Sequence, residues 1–309
     1  MLRVSTFNVN GIRAVHRRGF GDWITARTPD VIALQEVRCP VPALPEGAFA
    51  GYHAAYDAGA LAGRNGVAVL TRMPPAAVRS WAPGLHVVTP DGGLAEVAPD
   101  PTPLARELKA FTTEGRYVEV DLADHPVTVA SLYLPKGGLP AHLQVPGRMR
   151  EAPDGGAKHA RKLRFLAGLT RQVTASRRAA RARGREFLLM GDLNVAHQGL
   201  DVVNWRRQHR SEGFLPEERA HLDALIGPRR LLDVVRELHP ERQGPYSWWS
   251  WLGNSFVNDT GWRIDYHLAT PTLARAAVAG GTDRDAHRDA RMSDHAPVTV
   301  DYDPAALAR

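Results

Sequence analysis

Phe187–Asn194 reads FLLMGDLN, an apolar run that stops at a glycine and then sets down a carboxylate and an amide. Phe187–Met190 has the length and composition of a buried strand, and Asp192 and Asn194 stand just past its end. Immediately upstream, from about Lys158 to Arg183, Leu163, Leu166, Leu169 and Val173 recur at helical spacing. A long helix feeding a strand that ends on polar residues predicts an α/β protein. Its chemistry is expected at strand ends, where open sheets place their sites.

Outward from this stretch the pattern repeats. Leu2–Phe7, Val31–Leu34, Gly66–Leu70, Tyr117–Val120, Val127–Leu134, Ile264–Leu268 and Val298–Val300 are short apolar runs bounded by Gly, Pro, Asn or Asp. Pro216–Ile226 predicts a further helix, opened by Pro and Glu. There is no strict βαβ alternation, no internal repeat and no second composition regime. The expectation is one domain over residues 1–309, with a frayed end after about 303. Residues 81–110 and 137–157 are rich in Pro and Gly and weakly periodic, and predict long surface loops.

Composition narrows the function classes. The chain has 309 residues, 44% of them hydrophobic and 23% charged, an ordinary balance with material for a sizeable core. The net charge of +6 points to a polyanionic partner. The arginines on the outer positions of the 158–183 helix read as a solvated face. Cys39 is the only cysteine, which excludes an intramolecular disulfide and a cysteine-based zinc site. MLRVSTFNVNG has no apolar leader core, and no run reaches the length of a membrane span. The expected setting is the cytoplasm, with no membrane partner.

The polar residues at the strand ends form a set. Asn8 and Asn10 follow the first strand, Glu36 closes LQE, and Tyr133 ends Val127–Leu134. Asp192 and Asn194 follow in MGDLN, Asp265 lies in GWRIDY, and Asp294 and His295 lie in SDHAP. Each alone is an ordinary turn or loop residue. Together they are what metal-assisted phosphodiester chemistry needs. Hard oxygen ligands hold Mg²⁺ through one or two carboxylates plus water and phosphate. The ion then offsets charge that develops on phosphate oxygens.

The ordered strings FNVNG, LQE, GRYVEVD, SLYLP, MGDLNVAH, GFLPEER, GWRIDY and SDHAPV resemble those of the exonuclease III family of abasic-site endonucleases, within the wider endonuclease/exonuclease/phosphatase superfamily. They run from Phe7 to Val298. MGDLN and SDHAP mark the superfamily, whereas GFLPEER and GWRIDY are particular to the DNA-repair branch. The resemblance implies a four-layer α/β sandwich: two packed mixed β-sheets flanked by helices. It also implies a metal-dependent DNA-repair nuclease, a monomer acting on double-stranded DNA. Such an enzyme cuts 5′ to abasic sites and removes nucleotides or blocking groups from 3′ ends. The implied ion is Mg²⁺, with Mn²⁺ able to take the same oxygen ligands.

Carried over position by position, the resemblance makes Glu36 the principal metal ligand, Asn8 its neighbour and Asp294 a second metal-side carboxylate. Asp192 aligns or deprotonates the attacking water, and Asn194 positions it. Asp265 fixes the ring of His295, which contacts the scissile phosphate. Tyr133 contacts phosphate or eases departure of the leaving group, and Arg116 is a DNA-backbone or site-organising contact. Whether Asp192 or His295 is the base, and whether one or two metals act, stay open. So does the balance of incision, exonuclease and 3′-phosphatase activities.

Two further segments point to DNA. NWRRQHR carries Arg206, Arg207 and Arg210 around Trp205, a cluster suited to phosphates. In SWWSW and GWRIDY, Trp249 is expected in the core. By resemblance Trp248 and Trp262 line a pocket for a base-less sugar, with neither indole touching the metal or the attacking water. The chain departs from many relatives at Lys136, where an amide is common, and at Gln208 and Ser211 in the arginine loop. Trp81–Thr113 is also longer than usual. Competing readings are a phosphoesterase acting on phosphoinositides, sphingomyelin or small nucleotides, and a DNA-binding protein without catalysis. GFLPEER with the arginine and tryptophan loops argues against the first. The intact catalytic positions argue against the second.

Overall fold

Val31–Gln35 and Val127–Tyr133 are buried at every residue. A strand covered on both faces has no solvent side, so it reads as an unbroken apolar run instead of an alternating one. The computed structural model describes residues 1–49, 51–147, 149 and 151–307. In chain order its strands are β1 (Leu2–Asn8), β2 (Val31–Gln35), β3 (His53–Asp57), β4 (Val67–Thr71), β5 (Ala77–Ser80), β6 (Leu85–Val88), β7 (Leu94–Val97), β8 (Tyr117–Asp121), β9 (Val127–Tyr133), β10 (Glu186–Asp192), β11 (Leu232–Asp233), β12 (Asp265–Ala269), β13 (Ala277–Thr282) and β14 (Val298–Tyr302). They form an eight-stranded sheet ordered β13-β14-β1-β2-β4-β3-β6-β7 and a six-stranded sheet ordered β11-β12-β10-β9-β8-β5. Both are mixed: β1 runs parallel to β2 but antiparallel to β14, and β10 runs parallel to β9 but antiparallel to β12.

The sheets pack face to face. Val4, Val31 and Val69 from one meet Val129, Leu188 and Met190 from the other. Helices α1 (Ile12–Arg17) and α2 (Phe20–Arg27) cover the outer face of the larger sheet, setting Ile12, Val15 and Phe20 on Phe7, Ile32 and Leu34. Helix α3 (Ala157–Ala182) covers the smaller sheet with Phe165, Leu166 and Leu169 on Leu132, Phe187 and Leu189. The result is the four-layer sandwich that the sequence predicts.

Three expectations are corrected. Residues 81–110, read as loop, contain the β6–β7 hairpin, which extends the larger sheet, and a 3-10 turn at Arg106–Phe111. The hairpin forms through backbone pairing at a sheet edge, where Leu94 is exposed, so no apolar period announces it. The buried stripe of α3 runs through Lys162, Phe165, Leu166, Leu169 and Val173, while Leu163 is only half-buried. The end past Asp303 is not frayed as far as Leu307. Pro304–Leu307 makes a 3-10 turn and Leu307 packs into the core, while 308 and 309 lie outside the described residues. Residues 137–157 hold only a short 3-10 turn, Ala141–Leu143, with 148 and 150 outside the described residues.

His267, on β12, is fully buried between the sheets. Its Nε2 lies 3.1 Å from the Val298 carbonyl and its Nδ1 3.2 Å from the Tyr302 hydroxyl. The neutral ring fits: Nε2–H donates to the carbonyl and Nδ1 accepts from the hydroxyl. Burial lowers its pKa from 6.5 to about 4, against the Val298 bond, which raises it. The folded-state pKa is therefore below the unfolded one. Stability is complete above about pH 6.5 and is lost as pH falls toward 4. Denaturant titrations should show a loss of roughly 1–3 kcal/mol across that window beyond what His267→Gln shows. Identical pH curves for the two proteins would refute this.

Candidate active site

The mixed topology brings distant strand ends to one edge. β1 and β2 run parallel, so Asn8 lies opposite Gln35, and Glu36 follows directly. β9 and β10 run parallel, so Tyr133 lies opposite Asp192. β12 runs the other way, so its first residue, Asp265, also faces Asp192. β14 is antiparallel to β1, which delivers Asp294 and His295 to the same edge from the opposite direction. Ser131 clamps the sheets beneath this edge: its hydroxyl donates to the Leu34 carbonyl at 2.9 Å and accepts from Gln35 Nε2 at 3.0 Å. Gly191 lets β9 and β10 close here. It has φ 136, and a Cβ would lie 2.0 Å from the Leu132 carbonyl oxygen.

Asp192 is the hub. Its Oδ2 accepts from Asn8 Nδ2 at 2.9 Å and Asn194 Nδ2 at 3.3 Å, and its Oδ1 accepts from the Asn194 backbone N–H at 2.8 Å. His295 Nε2 stands 3.8 Å from Asp192 Oδ2, while His295 Nδ1 lies 2.8 Å from Asp265 Oδ2. Ser247 Oγ accepts the backbone N–H of Asp265 at 3.1 Å, fixing that carboxylate from behind. Asn8 Nδ2 also donates to Glu36 Oε1 at 2.9 Å, and Asn10 Nδ2 donates to Asp294 Oδ1 at 2.8 Å. The open side is a cleft of about 590 Å³ lined by Glu36, Tyr133, Asp192, Asn194, Asp294 and His295.

Electrostatics separate the two candidate bases. Burial raises Asp192 to about 7, against the His295 charge, which lowers it. Burial works against a charged His295, but the Asp265 charge and hydrogen bond outweigh it, with help from Asp192 and Asp294, and push the ring up to about 9. Asp294 is lowered: burial opposes its charge, while His295, Asn10 and Trp248 favour it.

Among the described residues no group of three or more His, Cys, Asp or Glu side chains is placed to enclose a metal by itself. The donors still fit a hard divalent ion. The Glu36 and Asp294 carboxylates open on one cleft, a sparse oxygen set suited to an ion that keeps water ligands, while the Asn8 amide gives its nitrogen to Glu36 and its oxygen to the Asn10 N–H. The guanidinium of Arg38 pairs with Glu36 Oε2, which marks that oxygen as a seat for positive charge.

The other residues named from the sequence fall into place unevenly. Tyr133 borders the cleft under Arg116, whose guanidinium lies 4.8 Å from the ring centroid and donates to the Tyr133 carbonyl at 3.3 Å. Arg116 is buried and paired with Glu114 at 3.2 Å, a site-organising position more than a surface contact. Trp249 is core. Trp248 and Trp262 pack on Ala196, Val202, Phe214 and Ile264, so the GFLPEER and GWRIDY strings meet as one apolar wall of the cleft. Trp248 Nε1 donates to Asp294 Oδ2 at 3.2 Å, so this indole also orients a carboxylate of the site.

Arg206, Arg207 and Arg210 are exposed around a short helix, α4 (Trp205–Gln208), with Arg206 above the Trp205 ring. Gln208 and Ser211 border the cleft and bond to each other at 2.8 Å. Lys136 pairs with Glu212 at 3.2 Å.

Sequence reading missed Arg38 and Lys162. Lys162, fully buried, pairs with Glu218 of GFLPEER at 2.7 Å and donates to the Asn194 carbonyl at 2.8 Å, tying α3 to the loop that carries Asn194. A lysine three residues before Phe165 and seven before Leu169, on the apolar stripe itself, was the available signal.

Residues 5–295 match the Endonuclease/Exonuclease/phosphatase family. The chain is 28% identical over 303 residues to the DNA repair nuclease APEX1 of Danio rerio, covering 97% of this chain and 81% of that protein. Among solved structures, it resembles an AP endonuclease from Archaeoglobus fulgidus at 25% identity and a TM-score of 0.75, over 98% of this chain and 100% of that one. A 3′ phosphatase from Neisseria bound to a product DNA hairpin is similar at 25% identity and a TM-score of 0.75, again over 98% of this chain and 100% of that one.

Proposed function

This chain belongs to the endonuclease/exonuclease/phosphatase family, and we propose that within it the protein is a metal-dependent DNA-repair nuclease. It hydrolyses phosphodiester bonds 5′ to abasic sites and clears nucleotides or blocking groups from 3′ ends. The observation that carries this reading is the Asp192–His295–Asp265 chain beside the Glu36 and Asp294 carboxylates, opening on a cleft with an apolar Trp248–Trp262 wall. Relatives and neighbours along nearly the whole chain are a DNA repair nuclease, an AP endonuclease and a 3′ phosphatase seen with DNA.

The electrostatics support the following roles. Asp192, raised toward neutrality and held by Asn8 and Asn194, orients a water and accepts its proton as the water oxygen bonds to phosphorus. His295, kept protonated by Asp265, serves as a fixed cation for the charge growing on the phosphate, which is a poor state for a base. The bond from phosphorus to the 3′ oxygen breaks, with Tyr133 at the cleft wall to contact the phosphate or the leaving group. Glu36 and Asp294, with Asn8, would hold Mg²⁺, or Mn²⁺ through the same oxygens, and a bound ion supplies Lewis-acid stabilisation of phosphate charge. The side chains invoked come from both sheets between Asn8 and His295, which supports a single domain, and the proposed unit is a monomer. No described helix is long and apolar enough to cross a membrane, and the proposed setting is the cytoplasm.

The direct test is a fluorescent duplex with one synthetic abasic site, incubated with Mg²⁺ and with EDTA. Incision 5′ to the site with Mg²⁺ alone is the expected result, and no incision under either condition overturns the reading. Trp262 refines it, because its indole packs on Phe214 and makes no hydrogen bond to the catalytic carboxylates, unlike Trp248. An abasic nucleotide rotates out of the helix at low unstacking cost, and an apolar wall can receive its bare sugar. Trp262→Ala should lower abasic incision roughly 5- to 150-fold, the worth of about 1–3 kcal/mol of aromatic packing. Cleavage of bis-p-nitrophenyl phosphate should fall far less. Equal losses in a variant with an unchanged melting curve would remove Trp262 from the pocket.

The arginine loop gives a separate expectation. If Arg206, Arg207 and Arg210 contact DNA phosphates, each neutralisation should reduce the slope of log affinity against log salt by about one unit, whatever the sequence. An unchanged slope in the triple alanine variant would make the cluster an ordinary solvated face.

A further inference from the structure

Arg38 lies two residues past Glu36 and has no part in the chemistry described above. Its guanidinium makes two contacts at the edge of the cleft: Nη2 stands against Glu36 Oε2 as an ion pair without hydrogen-bond geometry, leaving that buried oxygen with no hydrogen-bond donor, and Nη1 donates to Asn10 Oδ1 at 2.5 Å. The backbone is bent to bring these groups together. Asn10, Glu36 and Arg38 sit at φ 45, 52 and 52, left-handed conformations that non-glycine residues adopt only where the surroundings enforce them, commonly at functional sites. The Arg38 side chain is 40% exposed and Glu36 only 10%, so the arginine is the partner that can leave. It borders two spaces at once, the catalytic cleft and an adjacent cavity of about 530 Å³ with Arg64, Arg116, Lys136 and Arg161 on its walls.

We propose that Arg38 is a resident counter-cation. It holds the Glu36 carboxylate when no divalent ion is bound, competes with the ion for Oε2, and turns toward a substrate phosphate when displaced. This inference rests on the reading of Glu36 as a metal ligand and goes beyond it. One carboxylate oxygen cannot serve a guanidinium and a divalent ion at full strength, so the pair lowers metal affinity in the free protein. A phosphate in the cleft offers Arg38 an alternative anion, bidentate in geometry, and relieves the competition. Metal and substrate then favour each other's binding through the position of one side chain, a coupling that linkage makes reciprocal.

The test uses Mn²⁺ as the probe, titrated into the intact chain at low ionic strength and read by the electron paramagnetic resonance signal of the free ion. Wild type, Arg38→Gln, Arg64→Gln and Glu36→Gln are compared, with melting curves for each. Arg38→Gln should bind Mn²⁺ about fivefold more tightly than wild type, equivalent to an ion pair of about 1 kcal/mol. Arg64 borders the same cavity without touching Glu36, so Arg64→Gln should differ from wild type by less than about threefold. Adding an uncleavable abasic duplex should tighten Mn²⁺ binding in wild type and narrow the gap to Arg38→Gln. The proposal is overturned if Arg38→Gln binds no more tightly than wild type, or if Arg64→Gln shows the same gain, which would reduce the effect to a general field. Should folded wild type and all variants fail to bind Mn²⁺, the metal reading of Glu36 falls and takes the proposal with it. Normal binding without an Arg38 effect removes the proposal alone.

Discussion

Asp192→Asn should lower kcat by roughly 10²- to 10⁴-fold with duplex affinity nearly kept, the span expected for losing a general base in a preorganised site. The substitution changes one oxygen to an amide in a position surrounded by donors: Asn8 Nδ2, the Asn194 backbone N–H and the Asn194 amide. The oxygen that remains can still accept, but the new NH2 faces donors, so a melting curve must show that the variant is folded while its capacity to take a proton is lost. His295→Ala should cost on the order of 10² or more for a different reason, removal of a cation aimed at the phosphate. That variant also strands Asp265, whose Oδ1 already has no hydrogen-bond partner in a buried position. A melting curve must accompany it, and His295→Gln, which keeps a donor toward Asp265, provides the folded alternative. Since both groups act on one transition state, the double variant should be less than additive. Full additivity, or losses confined to KM, would sink the division of labour between base and cation.

Glu36→Gln should weaken the apparent affinity for Mg²⁺ by about 10²-fold or more, since removing a direct ligand should exceed the 10- to 100-fold typical of outer partners. The fold should survive. Glutamine still offers an oxygen to the Asn8 amide, and the lost pair with the partly exposed Arg38 is worth at most about 1 kcal/mol. Activity should return in part as Mg²⁺ is raised, because a weakened site can still be filled by mass action. A variant as active as wild type at limiting Mg²⁺ would falsify the assignment of Glu36.

Several parts of the molecule were legible in the sequence because local chemistry decides them. The central strands announce themselves, since burial on both faces demands unbroken apolar runs such as Val127–Leu134. Catalytic candidates stand out as carboxylates and amides at the ends of those runs, in strings distinctive enough to resemble one family. β6 and β7 were not legible, because β7 is an exposed edge strand held mainly by backbone pairing and β6 sends only Leu85 fully into the core, too little for an apolar period. Lys162 was hidden for the opposite reason. Its charge meets Glu218 only when α3 docks beside α5 (Pro216–Leu225), and a lysine on an apolar stripe otherwise looks like an irregularity.

The α/β class, the central strands and the groups that could do phosphodiester chemistry were readable in the sequence, whereas β3, β5, β6, β7, β11 and β13 were not. The readable features depend on composition and spacing over short stretches, while the two-sheet sandwich and the role of each group were implied by the family resemblance. The tertiary structure sets the electrostatics that bear on how those groups could divide the work. Asp192 and His295 are two titratable residues in separate strings. Burial raises the one while Asp265, opposite Asp192 across the β10–β12 pair, keeps the other charged. It likewise decided that Trp248 reaches Asp294 and that Arg38 sits on Glu36. The shifted pKa values and the Trp248–Asp294 bond depend on distance and dielectric between groups far apart in the chain, and the Arg38–Glu36 contact on the left-handed turn that the folded chain imposes on both residues.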